Sequence, residues 1–290
     1  MNPRVESFYD PATFTFTYLV YDEVGGRAAI IDPVLDFDPA SARTSTASAD
    51  RVLEAVAQRR VTVDWILETH AHADHLTAAA YLKQRTGAQV AIGEGITQVQ
   101  ARFKTLFGLE PEFPTNGGQF DRLLTDGDTF RIGALEARVL ATPGHTDDSL
   151  TYLIGDAAFV GDTVFAPETG TARVDFPGGD AHKLYRSIHR LFDLPEGTRL
   201  FLCHDYAPGD RATKAQTSLA DQRDHNIHVG GDVSEDVFVA MRTARDATLP
   251  VPKLILPALQ VNIRAGELPP PDANGIRYLR LPIDQIGSAK

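Results

Sequence analysis

The sequence predicts a mixed α/β fold with its chemistry gathered along one sheet edge, and three observations carry that reading. Short β-rich runs interleave with segments of helical periodicity along most of the 290 residues. Side chains able to hold a metal, in His70 to His75, His145, Asp162 and His204, each follow an apolar, strand-like run. No tract of low complexity and no repeat of solenoid period points to another architecture.

Taken in order, residues 15–21 and 27–32 are β-rich and separated by Gly25-Gly26, which reads as a hairpin. Residues 36–48, rich in Asp, Ser, Thr and Ala without periodicity, read as an exposed loop. Asp50 to Gln58 places Val52, Leu53 and Val56 on one helical face and leads into the strand Trp65-Ile66-Leu67. After His75 a run of strong helix formers ends at Gly87, and with a start near Asp74 its first amides would favour the carboxylate. Residues 88–92 are the next strand. The prolines and paired glycines of 101–118 suggest a loop forming a cleft wall. Strands follow at 135–142, 149–154 and 157–160, then a helix from Ala181 to Leu194 with Leu184, Ile188, Leu191 and Phe192 at helical spacing, then a strand over 199–205. Helical periodicity returns at 215–223 and 234–245. The tail from Leu249 is proline-rich, and Pro269-Pro270-Pro271 marks a stiff exposed loop.

A chain of this length can bury a full core. A formal net charge of −11 argues against general affinity for nucleic acid or an anionic membrane surface. No apolar run could span a bilayer and the first residues lack the apolar core of a secretory signal, so a cytoplasmic address is the expectation. The single cysteine, Cys203, excludes an intramolecular disulfide and a cysteine-rich metal site.

The richest stretch is His70-Ala71-His72-Ala73-Asp74-His75, directly after a buried strand. In extended chain His70 and His72 project to the same side. Imidazole and carboxylate suit borderline metals such as zinc, iron or manganese. Spacing alone fits either one ion or two ions bridged by Asp162 with a metal-bound hydroxide.

These motifs, His-x-His-x-Asp-His at 70–75, Pro-Gly-His-Thr around His145, Gly-Asp-Thr around Asp162, and His204, resemble the metallo-β-lactamase superfamily. The resemblance implies an αββα sandwich with a metal cleft at one edge, a catalytic domain over 1–210, and a short helical and proline-rich extension over 211–290 packed on it. Thr69 to Thr77, Gly170 to Phe176, His204-Asp205-Tyr206, Leu249 to Lys253 and Val261 to Gly266 are similar to the persulfide dioxygenase branch. The tail has no Asn-Pro-Phe, a mark of glyoxalase II. That branch implies one Fe(II) per chain on His70, His145 and Asp162, with His72, Asp74, His75 and His204 around it, oxidising glutathione persulfide with dioxygen to glutathione and sulfite. The alternative is a glyoxalase II-like hydrolase of glutathione thioesters with a dinuclear zinc or iron centre. Glutathione carries two carboxylates, so Arg173, Lys214 and Arg264 are the candidate cations and Tyr206 a hydroxyl donor. A homodimer is compatible with the sequence, which does not fix oligomeric state.

Other tempting residues are better read blandly. On a strand Cys203 points away from His204 and reads as packing. His182, His189, His225 and His228 fall on helical segments and read as ordinary histidines. Asp126-Gly127-Asp128 reads as a turn, since the rest of a calcium loop is missing.

Overall fold

The computed structural model describes residues 1–286 other than Pro208 and Asp210. The ends of the two expected regions, Asp210 and 287–290, therefore lie outside the described residues. The chain opens with β1 (Arg4–Asp10), β2 (Thr15–Tyr21), β3 (Arg27–Ile31), β4 (Val34–Asp38) and β5 (Arg43–Ser45). It continues through α1 (Ala47–Arg59), β6 (Thr62–Leu67), β7 (Leu76–Thr77), α2 (Ala79–Thr86), β8 (Gln89–Gly93), α3 (Ile96–Phe107) and β9 (Arg122–Leu124). The second half runs β10 (Thr129–Ile132), β11 (Leu135–Ala141), β12 (Leu150–Ile154), β13 (Ala157–Phe159), α4 (Ala181–Phe192) and β14 (Arg199–Phe201). It ends with β15 (Gln216–Ser218), α5 (Leu219–His225), α6 (Glu235–Asp246) and α7 (Ile255–Asn262).

Two mixed six-stranded sheets, ordered β1-β2-β3-β6-β8-β9 and β10-β11-β12-β13-β14-β15, face each other. Alternation along β2 shows why. Phe16, Tyr18 and Val20 enter the core between the sheets with Val139, Tyr152 and Phe159, while Leu19 and Tyr21 enter a second core under α1, α2, α3 and α7. A third cluster seats α4, α5 and α6 on the outer face of the second sheet through Leu184, Ile188, Leu200 and Phe238. Each such buried side chain contributes roughly 1.5–3 kcal/mol, and the resulting order is helix, sheet, sheet, helix. At one edge the sheets are stitched together: Phe16 N–H donates to the Cys203 carbonyl at 2.7 Å, and Thr15 bridges to His204. Among the described residues, no helix is long and apolar enough to cross a membrane.

Five local expectations are corrected. Residues 36–48 are not a loop throughout, because Val34 and Leu35 pack on the core and β4 pairs with β5 in a hairpin. The helix after the motif begins at Ala79, since Leu76–Thr77 pairs with Val34–Leu35, so Asp74 does not sit at a helix start. Residues 101–107 belong to α3, whose Ile96, Val99, Phe103 and Phe107 line one face. The rest of the 101–118 segment borders a separate depression with Arg264 and is no wall of the metal cleft. Gln216–Ser218 is a strand, with Ser218 capping the helix that follows at Leu219. The proline-rich tail contains α7, whose apolar residues join the first core.

Candidate metal centre

The seven side chains singled out in the sequence meet at the stitched edge, where β6, β11, β13 and β14 all end. Asp162 leaves β13 through Gly161, whose φ of +52° and contact with Thr69, 2.8 Å from where a Cβ would stand, make any side chain there costly. His145 is carried on a turn whose Gly144, at φ +140°, backs directly onto Leu184 of α4.

Hydrogen bonds fix which ring nitrogen each histidine presents. His145 Nδ1 lies 2.7 Å from the Arg173 carbonyl, which can only accept, so Nδ1 carries the proton and Nε2 the lone pair. Thr69 gives its hydroxyl proton to Asp32 at 2.9 Å and must therefore accept from His70 Nδ1, 3.1 Å away, leaving Nε2 of His70 free as an acceptor. His75 Nδ1 faces the Asp74 carboxylate at 3.3 Å, and His204 Nδ1 faces the Phe14 carbonyl at 3.3 Å. Nε2 of His70, His75 and His204, Nδ1 of His72 and Oδ1 of Asp162 are buried without a hydrogen-bond partner in the protein, although His204 Nε2 and Asp162 Oδ1 approach to 3.3 Å. Several buried lone pairs aimed inward together are costly unless a cation receives them. Burial, with His72 and His145 nearby, holds His70 well below the usual imidazole range, so it stays neutral and able to coordinate.

Four groupings of candidate ligands emerge among the described residues: His72 with Cys203 and His204, His72 with Asp32 and Glu68, and two others that contain residues bordering the cleft. One atom each of His70, His145 and Asp162 lie within 4.8 Å of one another, and a second set of that kind is His72, Asp74 and His75. The sets differ in their backing. His72 directs Nε2 to Asp32 at 3.0 Å and to Glu68 at 3.5 Å, all three buried. Burial opposes charge on His72, but the two carboxylates outweigh it and raise its pKa well above normal. Asp74 is pulled well below the usual carboxylate range: burial works against this, and His204 at 3.4 Å and His75 overcome it.

Several supporting residues escaped the sequence reading. Asp32 accepts from Thr69 N–H at 2.7 Å as well as from His72, and it leaves β3 as the candidate ligands leave their strands. Asn262 of α7 donates to the carbonyls of His72 and His75 at 2.8 Å each and accepts from Thr77 N–H at 2.8 Å. Asp148 accepts from Ala71 N–H at 2.8 Å. Thr15 places its hydroxyl 3.3–3.4 Å from His204, His75 and Asp74.

Asp74, His75, His145 and Asp162 reach a cleft of about 1000 Å³. Tyr206 borders it, nearly parallel to the His204 ring at 5.7 Å. Arg173 borders it too, but its guanidinium is bonded to Asp175 twice at 2.6 Å and to the Pro250 carbonyl. Lys214 and Arg264 are not brought to the cleft. Lys214 lies 3.6 Å from Glu168 beside another depression, and Arg264 forms a two-bonded pair with Glu110 at 2.7 and 2.9 Å. Each found a nearer carboxylate. Cys203 is buried with Sγ 3.7 Å from Asp32, and burial pushes its thiol far up, so it is no nucleophile.

A family model described as the metallo-beta-lactamase superfamily matches residues 10–204. The chain is 54% identical to a probable metallo-hydrolase of Burkholderia pseudomallei, over 97% of this chain and 99% of that one. It is 52% identical to a beta-lactamase hydrolase-like protein of Xylella fastidiosa, covering 99% of this chain but only 66% of that longer protein. Human mitochondrial persulfide dioxygenase ETHE1 is 30% identical over 90% of this chain and 88% of its own length. The crystal structure of ETHE1 from Myxococcus xanthus superimposes with a TM-score of 0.72 at 35% identity, over 92% of this chain and all of that one.

Proposed function

This chain belongs to the metallo-β-lactamase superfamily, and from that premise we propose that it is an iron enzyme that oxidises a low-molecular-weight persulfide with dioxygen. One persulfide, one dioxygen and one water give one thiol and one sulfite with its protons; the outer sulfur loses the electrons that dioxygen gains. The observation that carries the reading is the facing of His70, His145 and Asp162 within 4.8 Å, in a chain 30% identical to human ETHE1 and 35% identical to the Myxococcus xanthus ETHE1 structure. Two imidazoles and one carboxylate are a donor set for a ferrous ion with open positions, and such an ion would supply the redox capacity that zinc lacks.

The chain's own residues then have definable tasks. The Arg173 carbonyl and the Thr69 hydroxyl hold His145 and His70 with Nε2 forward. Phe165, Phe176 and Tyr206 give the cleft apolar walls beside the ligands, limiting water around a reactive sulfur. Asn262 ties α7 to the motif backbone, so the 211–290 extension acts in this proposal as part of the catalytic unit.

A second reading rests on the second grouping. His72, Asp74 and His75 could hold another ion, and with Asp162 between two ions the site would suit thioester hydrolysis. The purified chain separates the two by metal analysis joined to an oxygen electrode. About one iron per chain, with oxygen uptake and sulfite release on glutathione persulfide, is expected. Two metals per chain, with thioester turnover that does not need oxygen, would overturn the dioxygenase reading.

A further inference from the structure

We infer that Phe14, on the turn between β1 and β2, is a substrate-contacting residue of the cleft, its ring receiving the part of the thiol carrier that lies beyond the persulfide. The inference rests on the persulfide reading above and names a determinant of carrier binding. Phe14 stands at φ +61°, in the left-handed region that glycine and asparagine adopt readily and that a bulky side chain seldom does. Asp10 holds the turn there, its carboxylate accepting from Ala12 N–H at 3.2 Å, Thr13 N–H at 3.1 Å and the Thr13 hydroxyl at 2.6 Å. What the turn delivers to the metal edge is a carbonyl: that of Phe14 accepts from Asp205 N–H at 3.2 Å and faces His204 Nδ1 at 3.3 Å. Glycine would supply the same carbonyl with less strain. The phenyl ring serves something else.

Packing of the fold is not its task, since the ring is 44% exposed and joins none of the three cores. It borders the cleft instead, at the end of a row of rings. Tyr206 stands nearly parallel to His204 at 5.7 Å, Phe165 meets both edge-on at 5.6 and 6.0 Å, and Phe14 touches the row at Tyr206, 5.5 Å away. The row runs from His204 and Phe165, both buried, to Tyr206 and Phe14, both exposed. It is a wall leading from the metal edge to the rim. An aromatic face accepts methylene groups, amide planes and sulfur alike, so this wall suits a carrier of mixed polarity and asks for no particular charge on it. With the outer sulfur at the metal edge, the far end of the carrier meets Phe14, and a ring already fixed on a bonded turn loses little freedom in the contact.

The test compares the iron-loaded full chain with Phe14→Gly and Phe14→Asn, which keep the left-handed turn without the ring, and with Phe14→Tyr, which keeps the ring. Oxygen uptake is measured on glutathione persulfide, long enough to reach the rim, and on the persulfide of mercaptoethanol, which is not. In Phe14→Gly and Phe14→Asn the ratio of KM for the long substrate to KM for the short one should rise about three- to tenfold, the effect falling on KM rather than kcat. The thermal midpoint should stay within about 3 °C of the parent, and Phe14→Tyr should restore the parent ratio. By calorimetry the two ringless variants should lose the same factor in affinity for glutathione, a readout that needs no turnover. An unchanged KM ratio, a loss in kcat alone, or unchanged glutathione affinity would show that the turn acts only through its carbonyl on His204, and each overturns the inference. A parent chain that takes up no oxygen on any persulfide, while Phe14→Gly still weakens glutathione, would sink the reaction and leave the contact standing.

Discussion

The two halves of the metal edge are built from the same residue types and behave differently. On one side His70 and His145 are backed by neutral groups, a hydroxyl and a carbonyl, which orient without adding charge. On the other, His72 is backed by two buried carboxylates, and Asp74 stands 3.3–3.4 Å from ring nitrogens of His75 and His204. The first arrangement presents two imidazoles and one carboxylate. In the second, the charges of His72 and Asp74 already meet neighbours, while His72 Nδ1 and His75 Nε2 stay without a partner. Ligand spacing in a motif therefore says less about metal count than what stands behind each ligand.

The largest effect should come from breaking the first half. His145→Ala removes a proposed ligand and also releases the Arg173 carbonyl, and iron content should fall to near zero with activity down by more than about 100-fold, since outer partners alone are worth roughly 10–100-fold. Metal analysis and oxygen uptake check this together. Unchanged iron would show that the first grouping is not the binding site.

Next in size is the backing of the second half. Asp32→Ala strips His72 of its nearer carboxylate and leaves Thr69 N–H without an acceptor, all at buried positions. Removing one partner of a buried pair costs about 3–5 kcal/mol, to be read by urea denaturation of the metal-free chain. A loss under about 1 kcal/mol would mean that the His72 pair contributes no more than a surface one. Asp74→Ala is gentler and sharper: it should leave one iron per chain if only the first half binds metal, and take the count from two to one if both do.

How much of this was legible beforehand follows from sequence distance. The rule that ligands leave strand ends found all seven edge residues, because strand and ligand are adjacent in the chain. Asp32, which follows β3, obeys the same rule. Asn262 was invisible as a support, since it reaches the motif from 190 residues away. The same holds for Arg264, whose partner Glu110 is 154 residues off, so a cation that looked free in sequence is paired in space. The late start of α2 has this cause as well: Leu76–Thr77 would continue a helix by local propensity, but β4 offers it a strand partner. The prolines after residue 110 drew the whole of 101–118 into a loop, although Phe103 and Phe107 continue the helical face begun by Ile96 and Val99.

The smallest effect probes how the first half is held from outside. His145 leans on Arg173, and that loop is anchored one step further by His228, whose Nδ1 accepts from Thr171 N–H at 2.9 Å. Arg242 and Asp246 of α6 grip the same loop, through the Thr171 carbonyl and Val174 N–H. Burial first, then the charges of Arg242 and Arg245, push His228 down to about 4. A histidine depressed in the fold contributes stability that is complete above its ordinary pKa near 6.5 and is lost as pH falls from there through 4, because the unfolded chain takes the proton first. Thermal midpoints measured between pH 7 and 4 should therefore decline, and His228→Asn, which keeps an acceptor near the Nδ1 position but cannot titrate, should flatten that decline while starting from a slightly lower midpoint at pH 7. Parallel curves for the two proteins would show that the loop does not depend on an unprotonated His228, and the link from α6 to the metal edge would then rest on Arg242 and Asp246 alone.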